Sequence, residues 1–211
     1  MNSKKNPASD WKLYCILDSA LLKKRGAVKL ARLLFKSGVK AVQLRCKNCP
    51  SYEIVRIAKK LKRSRKGRGK ILIINDRIDA VHAAGAGGVH LGSGDMNLRA
   101  ARYLLGSRGV IGKTVHSVAE ARKTKTQNLD YIGAGPVFFT PLKKKLKKRG
   151  PAFIRKIKKY ARVPVFAIGG INKQNVKMVF KNGADGVCVS RGALQAAGLL
   201  KKIKLLKGWG K

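Results

Sequence analysis

Acidic residues are scarce in this chain. Nine Asp and Glu stand against 49 Lys and Arg in 211 residues, which leaves a formal net charge of +40. Cysteine is scarce too, and four are too few to staple a chain of this length, so a disulfide scaffold is excluded. No apolar run approaches the ~18 residues of a membrane span. The opening MNSKKNPASD lacks the apolar stretch of a secretory leader, so a reducing, cytoplasmic setting is the expectation. The 23 glycines follow no three-residue period, which excludes a collagen-like helix. Apolar residues, 45% of the total, run throughout and suffice for one folded domain rather than a disordered chain.

Short apolar, β-branched runs alternate with segments of helical period. The strand candidates are Leu13–Leu17, Ala41–Leu44, Ile71–Ile74, Gly88–Leu91, Val110–Gly112, Tyr131–Gly133, Val165–Ile168 and Val187–Val189. Helical patterns fill the gaps: Ala27–Lys36, Glu53–Lys62, Asp76–Ala84, Leu98–Leu105, Val118–Lys123, Phe153–Tyr160 and Asn175–Phe180. Strand-then-helix repetition implies parallel strands joined by crossover helices. An internal echo agrees: GVKAVQL at Gly38, GAGGVHL at Gly85 and GADGVCV at Gly183 recur at about two and four units of roughly 24 residues. Eight such units make a single (β/α)8 TIM barrel. An open doubly wound sheet would carry a Gly-rich turn after its first strand, and Leu17–Lys24 (LDSALLKK) has none. The barrel is expected over residues 11–207, between a flexible N-terminal tail (1–10) and a short C-terminal tail (208–211).

In such a barrel the chemistry gathers where strands end. Asp18, Asp76 and Asp95 fall there, and Asp76 and Asp95 end adjacent strands. That pair suits Mg²⁺, which takes one or two carboxylates with phosphate oxygens and water. Helix capping explains the same two residues, and spacing alone favours it over the metal. QLRCK places Gln43, Arg45 and Lys47 at another strand end, a donor set suited to a diphosphate. The long segment Gly135–Gly150 could carry Thr140 and Lys143 to a substrate as a lid, or be a solvated basic loop. Gly169-Gly170 and Ser190-Arg191-Gly192 stand where barrels often bind phosphate. Cys46 and Cys49 form a C-x-x-C with no His beside it, outside a thioredoxin-like context, so redox or metal chemistry is not expected there. Cys15 and Cys188 fall in strands and read as core. His82 lies mid-helix and reads as structural, whereas His90 and His116 sit at strand ends where acid/base work is open to them.

Taken in order, QLRCK, NDR (Asn75–Arg77), GVHLGSGD (Gly88–Asp95), GKTVHS (Gly112–Ser117), DYIGAGPVFFT (Asp130–Thr140), AIGGI (Ala167–Ile171) and GADGVCVS (Gly183–Ser190) resemble the thiamine-phosphate synthase family. The resemblance runs from about Leu13 to Leu194. It implies a TIM-barrel transferase of thiamine biosynthesis. Such an enzyme joins hydroxymethylpyrimidine diphosphate to thiazole phosphate with Mg²⁺ and releases diphosphate. It further implies that Gln43, Arg45, Lys47, Asn75 and Lys143 hold the diphosphate and that Asp76 and Asp95 hold Mg²⁺. Thr114 would lie near the pyrimidine, where the family usually has Ser. Thr140, Gly170 and Ser190 would lie at the thiazole phosphate. Lys143, Arg45 and Thr114 would serve the chemistry most directly.

The chain departs from the family pattern at three places. Leu142 takes the place of a second hydroxyl donor in the sixth loop. Cys46 replaces a frequent Glu. Ser190-Arg191 replaces an apolar-Ser pair, so that Arg191 is an alternative phosphate contact. Two other functions compete. A thiazole tautomerase of the same superfamily would use His116 as a proton shuttle, though it has no diphosphate or metal for Asp95 and Gln43 to hold. A nucleic-acid-binding barrel would use the run Arg56–Lys70, but aromatics for stacking are scarce there and only non-specific association is expected. Small-molecule substrates without a membrane are the expected partners.

Overall fold

The structure, a computed structural model, describes residues 6–18, 26–65, 67, 69–124, 126–140, 147–190, 194 and 208. Eight parallel strands close into a barrel in sequence order: β1 (Leu13–Asp18), β2 (Ala41–Arg45), β3 (Ile71–Asn75), β4 (Gly88–Leu91), β5 (Val110–Val115), β6 (Tyr131–Ala134), β7 (Val165–Ile168) and β8 (Gly186–Val189). Pairing of β1 with β8 completes the ring. The helices between strands are α1 (Ala27–Lys36), α2 (Ser51–Arg63), α3 (Ile78–Ala84), α4 (Leu98–Leu105), α5 (Val118–Lys123), α6 (Ala152–Lys158) and α7 (Val176–Lys181). The expected (β/α)8 TIM barrel is therefore the fold. Among the described residues, no helix is long and apolar enough to cross a membrane.

Several strands run further at their C-terminal ends than the apolar runs suggest. β1 reaches Asp18, β2 reaches Arg45, β3 reaches Asn75 and β5 continues through Lys113 and Thr114 to Val115. A polar side chain interrupts an apolar pattern, but its backbone still completes the ladder: Asp18 lies opposite Arg45, Asn75 opposite His90 and Thr114 opposite Gly133. Gln43, Arg45, Asn75 and Thr114 consequently stand on strands, whereas Lys47, Asp76, Asp95, Thr140, Gly170 and Ser190 follow them.

Strand alternation sorts the core into two bodies. Leu13, Cys15 and Leu17 face the helices, together with Leu30, Leu34, Leu61, Ile74, Ile154 and Val179. Tyr14 and Ile16 face the barrel axis with Trp11, Ala41, Ile73, Val110, Tyr131, Phe166 and Cys188. Trp11 stops the lower end of the axis, its ring 5.4 Å from that of Tyr131 and 6.0 Å from that of Phe166. Gly112 makes room for this stack, because a Cβ there would overlap the Tyr131 ring. The segment read as a tail takes part: Pro7–Asp10 forms a 3-10 turn, Ala8 is buried and Asn6 Nδ2 donates to the Asp130 carbonyl at 2.9 Å. Among the described residues, packing thus already includes Asn6–Asp10 ahead of residue 11.

Most of the few carboxylates hold this frame together. Asp130 accepts from Ile111 N at 2.8 Å and pairs with Arg102 at 2.7 Å. Asp185 does the same beneath β8, accepting from Val165 N at 2.7 Å and pairing with Lys158 at 2.8 Å. Glu120 accepts from His116 N at 2.7 Å, while its own N–H donates to the Ser117 hydroxyl that caps α5. Asp79 pairs with Arg77, Glu53 with Arg56 and Asp10 with Lys40. Asp18, Asp76 and Asp95 are left, and all three lie at the C-terminal rim.

Candidate active site

Asp76 follows β3 in a left-handed conformation, at φ 64°, the only non-glycine residue with positive φ among those described. A short polar side chain tolerates this conformation best. Its N–H donates to the His90 carbonyl at 2.9 Å, so the turn is tied to the end of β4. Asp95 is anchored from the other side, with its Oδ2 accepting from Gly92 N at 2.6 Å. The two carboxyl groups meet in a hydrogen bond. Burial, that bond and the Asp95 charge raise the Asp76 pKa to about 6, against the opposing pull of Lys47 and Arg45. Neither residue caps the helix that follows it: Arg77 stands at the cap of α3, and Asn97 caps α4 by accepting from Ala100 N at 2.9 Å. The helix-capping explanation of this pair is therefore set aside.

Two carboxyls that resist ionising together form a donor set for a divalent cation. Among the described residues no group of three or more His, Cys, Asp or Glu gathers. The pair fits a magnesium ion that completes its shell with phosphate oxygens and water. Arg45 ends β2 opposite Asp18, and Lys47 follows two residues later on an exposed turn. Both cations are near enough to Asp76 to oppose the rise of its pKa. Asn75, half-buried at the end of β3, adjoins the same place.

Gln43 and Thr114 lie deeper, both buried within the barrel. Gln43 Nε2 donates to the Tyr14 hydroxyl. Thr114 Oγ1 lies 2.7 Å from His90 Nε2. His90, whose strand-end place leaves acid/base work open to it, is here the hydrogen-bond partner of Thr114. His116 is held differently: its Nδ1 donates to the Gly135 carbonyl at 2.5 Å, and its N–H is taken by Glu120. These two contacts fix the orientation of the His116 ring at the end of β5.

On the opposite side, Ser190 donates to Asp18 at 3.4 Å. Gly169 and Gly170 adopt positive φ, and a Cβ on Gly170 would overlap the Phe139 carbonyl. Phe138 N donates to the Gly169 carbonyl at 3.1 Å. The glycine pair is thus required for packing against the sixth loop, whose ends are closed by Arg149 N on the Pro136 carbonyl and Gly150 N on the Val137 carbonyl, each at 2.9 Å. Thr140 is half-buried on that loop, next to a Phe139 that is 66% exposed. Lys143 and Leu142, and Arg191 and Gly192 after β8, lie outside the described residues.

Cys46 and Cys49, from which redox and metal chemistry were not expected, are joined in a disulfide. It closes the turn that carries Lys47. Cys15 and Cys188 are buried, and burial pushes both thiols well up from their ordinary range.

The arrangement defines a (β/α)8-barrel enzyme whose rim sets two carboxylates among cations. The model of the thiamine monophosphate synthase family matches residues 13–193, and the chain belongs to that family. It is 38% identical over 200 residues to the thiamine-phosphate synthase of Syntrophomonas wolfei, covering 94% of this chain and 96% of that one. It is 39% identical over 178 residues to the thiamine-phosphate synthase of Pyrococcus horikoshii, covering 84% of each. Among solved structures, thiamine phosphate pyrophosphorylase from Pyrococcus furiosus superposes with a TM-score of 0.83 at 34% identity, covering 97% of this chain and 96% of that one. A geranylgeranylglyceryl phosphate synthase from Thermoplasma acidophilum shares the fold alone, with a TM-score of 0.69 at 10% identity over 97% of this chain and 95% of that one.

Proposed function

We propose that this chain is a thiamine-phosphate synthase, condensing hydroxymethylpyrimidine diphosphate with thiazole phosphate to thiamine phosphate and diphosphate. The observation that carries the reading is the Asp76–Asp95 pair at the C-terminal rim, with Arg45 at the end of β2 and Lys47 on the turn after it both pulling on Asp76. It is a place for a cation and a diphosphate together. The family and the named relatives supply the particular substrates.

In this reading the diphosphate departs with the bonding electron pair and leaves a pyrimidinylmethyl cation, which the thiazole nitrogen attacks. Arg45 and Lys47 face the charge that grows on the leaving oxygen, and Asn75 donates to the same group. Asp76 and Asp95 would hold Mg²⁺, which when bound neutralises further charge on the diphosphate. Lys143 is assigned to the diphosphate as well. Thr114 holds the pyrimidine from below. Thr140, Gly170 and Ser190 keep the thiazole phosphate on the far side, so that the nucleophile waits aligned and close. No side chain need attack the substrate.

Incubating the protein with both phosphorylated substrates and Mg²⁺ tests the reading. Thiamine phosphate and diphosphate are expected in equal amounts; absence of product at saturating substrate overturns it.

A further inference from the structure

Five buried side chains on five strands form one continuous hydrogen-bonded chain across the barrel. Gln43 on β2 meets Tyr14 on β1. The Tyr14 hydroxyl lies 2.9 Å from that of Tyr131 on β6. The Tyr131 hydroxyl lies 2.9 Å from His90 Nδ1 on β4, and His90 Nε2 lies 2.7 Å from Thr114 Oγ1 on β5. Residues next to one another in this chain are between 24 and 117 positions apart in sequence.

The order of protons along it follows from donor chemistry. An amide nitrogen only donates, so Gln43 Nε2 fills an acceptor site on the Tyr14 oxygen. Tyr14 has one hydroxyl proton, and Tyr131 is the other group it meets, so that proton goes to the Tyr131 oxygen. Tyr131 in turn gives its proton to His90 Nδ1. A nitrogen that accepts carries no proton, so the neutral imidazole bears its proton on Nε2 and donates to Thr114 Oγ1. The Thr114 hydroxyl proton then remains for a group outside the chain.

We infer that His90 is a positioning residue which, ordered by Tyr131, Tyr14 and Gln43, makes Thr114 a committed hydrogen-bond donor to a ring nitrogen of the pyrimidine substrate. This rests on the synthase reading for the identity of the acceptor, but the proton order does not. Burial keeps both tyrosine hydroxyls protonated by raising them well above their ordinary range. Ring packing fixes their aim: His90 stacks on Tyr131 with an interplanar angle of 29°, and Tyr14 meets Tyr131 edge-on at 87°. A hydroxyl held this way discriminates. It rewards an acceptor and rejects a donor at the same place, because a second donor leaves two protons facing each other.

Imidazole ¹⁵N NMR on the full protein reads the proton order directly. The wild type is expected to show His90 protonated at Nε2 and bare at Nδ1. Tyr131→Phe removes the donor, and the proton is expected to populate Nδ1. Kinetically, Tyr131→Phe is expected to raise KM for the pyrimidine diphosphate about tenfold, with KM for thiazole phosphate unchanged. His90→Gln, whose amide can still donate to Thr114, is expected to stay within a few fold of wild type, whereas His90→Leu is not. Replacing the accepting ring nitrogen of the substrate by C–H is expected to cost the wild type about tenfold and Thr114→Val nothing further. A bare Nε2 in the wild type overturns the inference, as does an equal KM loss for both substrates. A wild type that shows the Nε2 proton but makes no thiamine phosphate defeats the synthase reading instead and upholds the proton order.

Discussion

The carboxyl of Asp76 is hydrogen-bonded to that of Asp95, although the two belong to different βα turns. A group whose folded pKa is raised destabilises the fold once it is charged. The cost is absent below the ordinary value near 3.8 and present in full above about 6.

Asp76→Asn removes that cost and keeps a side chain suited to the left-handed turn. The metal-free variant is expected to melt higher than the wild type at pH 7, by about 1 kcal/mol after allowance for solvent screening. The gap should close as pH falls through 6 toward 4. Thermal melts in chelator across that range check the sign, and the same variant should lose Mg²⁺-dependent turnover.

Asp95→Ala removes one half of the cation site and the acceptor of Gly92 N. Turnover is expected to fall on the order of 10²-fold or more. Steady-state rates at saturating Mg²⁺ measure it, and unchanged turnover would reduce Asp95 to an anchor of its own loop.

Gly170→Ala introduces a Cβ against the Phe139 carbonyl at a backbone position of φ 64°. Stability is expected to drop by about 1–3 kcal/mol. The sixth loop that Gly170 packs against should shift with it, raising KM for thiazole phosphate more than for the pyrimidine substrate. Urea unfolding with two-substrate kinetics separates these effects.

Mild reduction is expected to open the Cys46–Cys49 bond and leave Cys15 and Cys188 unreactive within the fold. Thiol titration of the native protein should therefore rise by two groups on reduction. Freed from its closure, the Lys47 turn should bind inorganic diphosphate several-fold less tightly, which calorimetry on the two forms would read.

The barrel was legible because its signal is local. Apolar runs such as Ile71–Ile74 and helical periods such as Ala27–Lys36 state their element without help from distant chain. The strand-end positions of Arg45, Asn75 and Asp76 followed from the same alternation. Registration across the barrel was not legible. Nothing in GVHL indicates that His90 will meet both Thr114 and Tyr131, because those contacts depend on pairing strands far apart in sequence. The separation of Asp18, Asp76 and Asp95 from the carboxylates that tie Ile111, Val165 and His116 likewise needed geometry. Gly169-Gly170 showed its strand-end place in sequence, but the packing that demands two glycines became visible only against Pro136–Phe139.

A single-turnover quench tests the central claim most directly, with protein in excess over hydroxymethylpyrimidine diphosphate and thiazole phosphate saturating. With Mg²⁺ present, thiamine phosphate and diphosphate should rise together, one for one, and both should vanish in chelator and in Asp95→Ala. No thiamine phosphate from the wild type, or an equal yield with Asp95→Ala, would contradict the account.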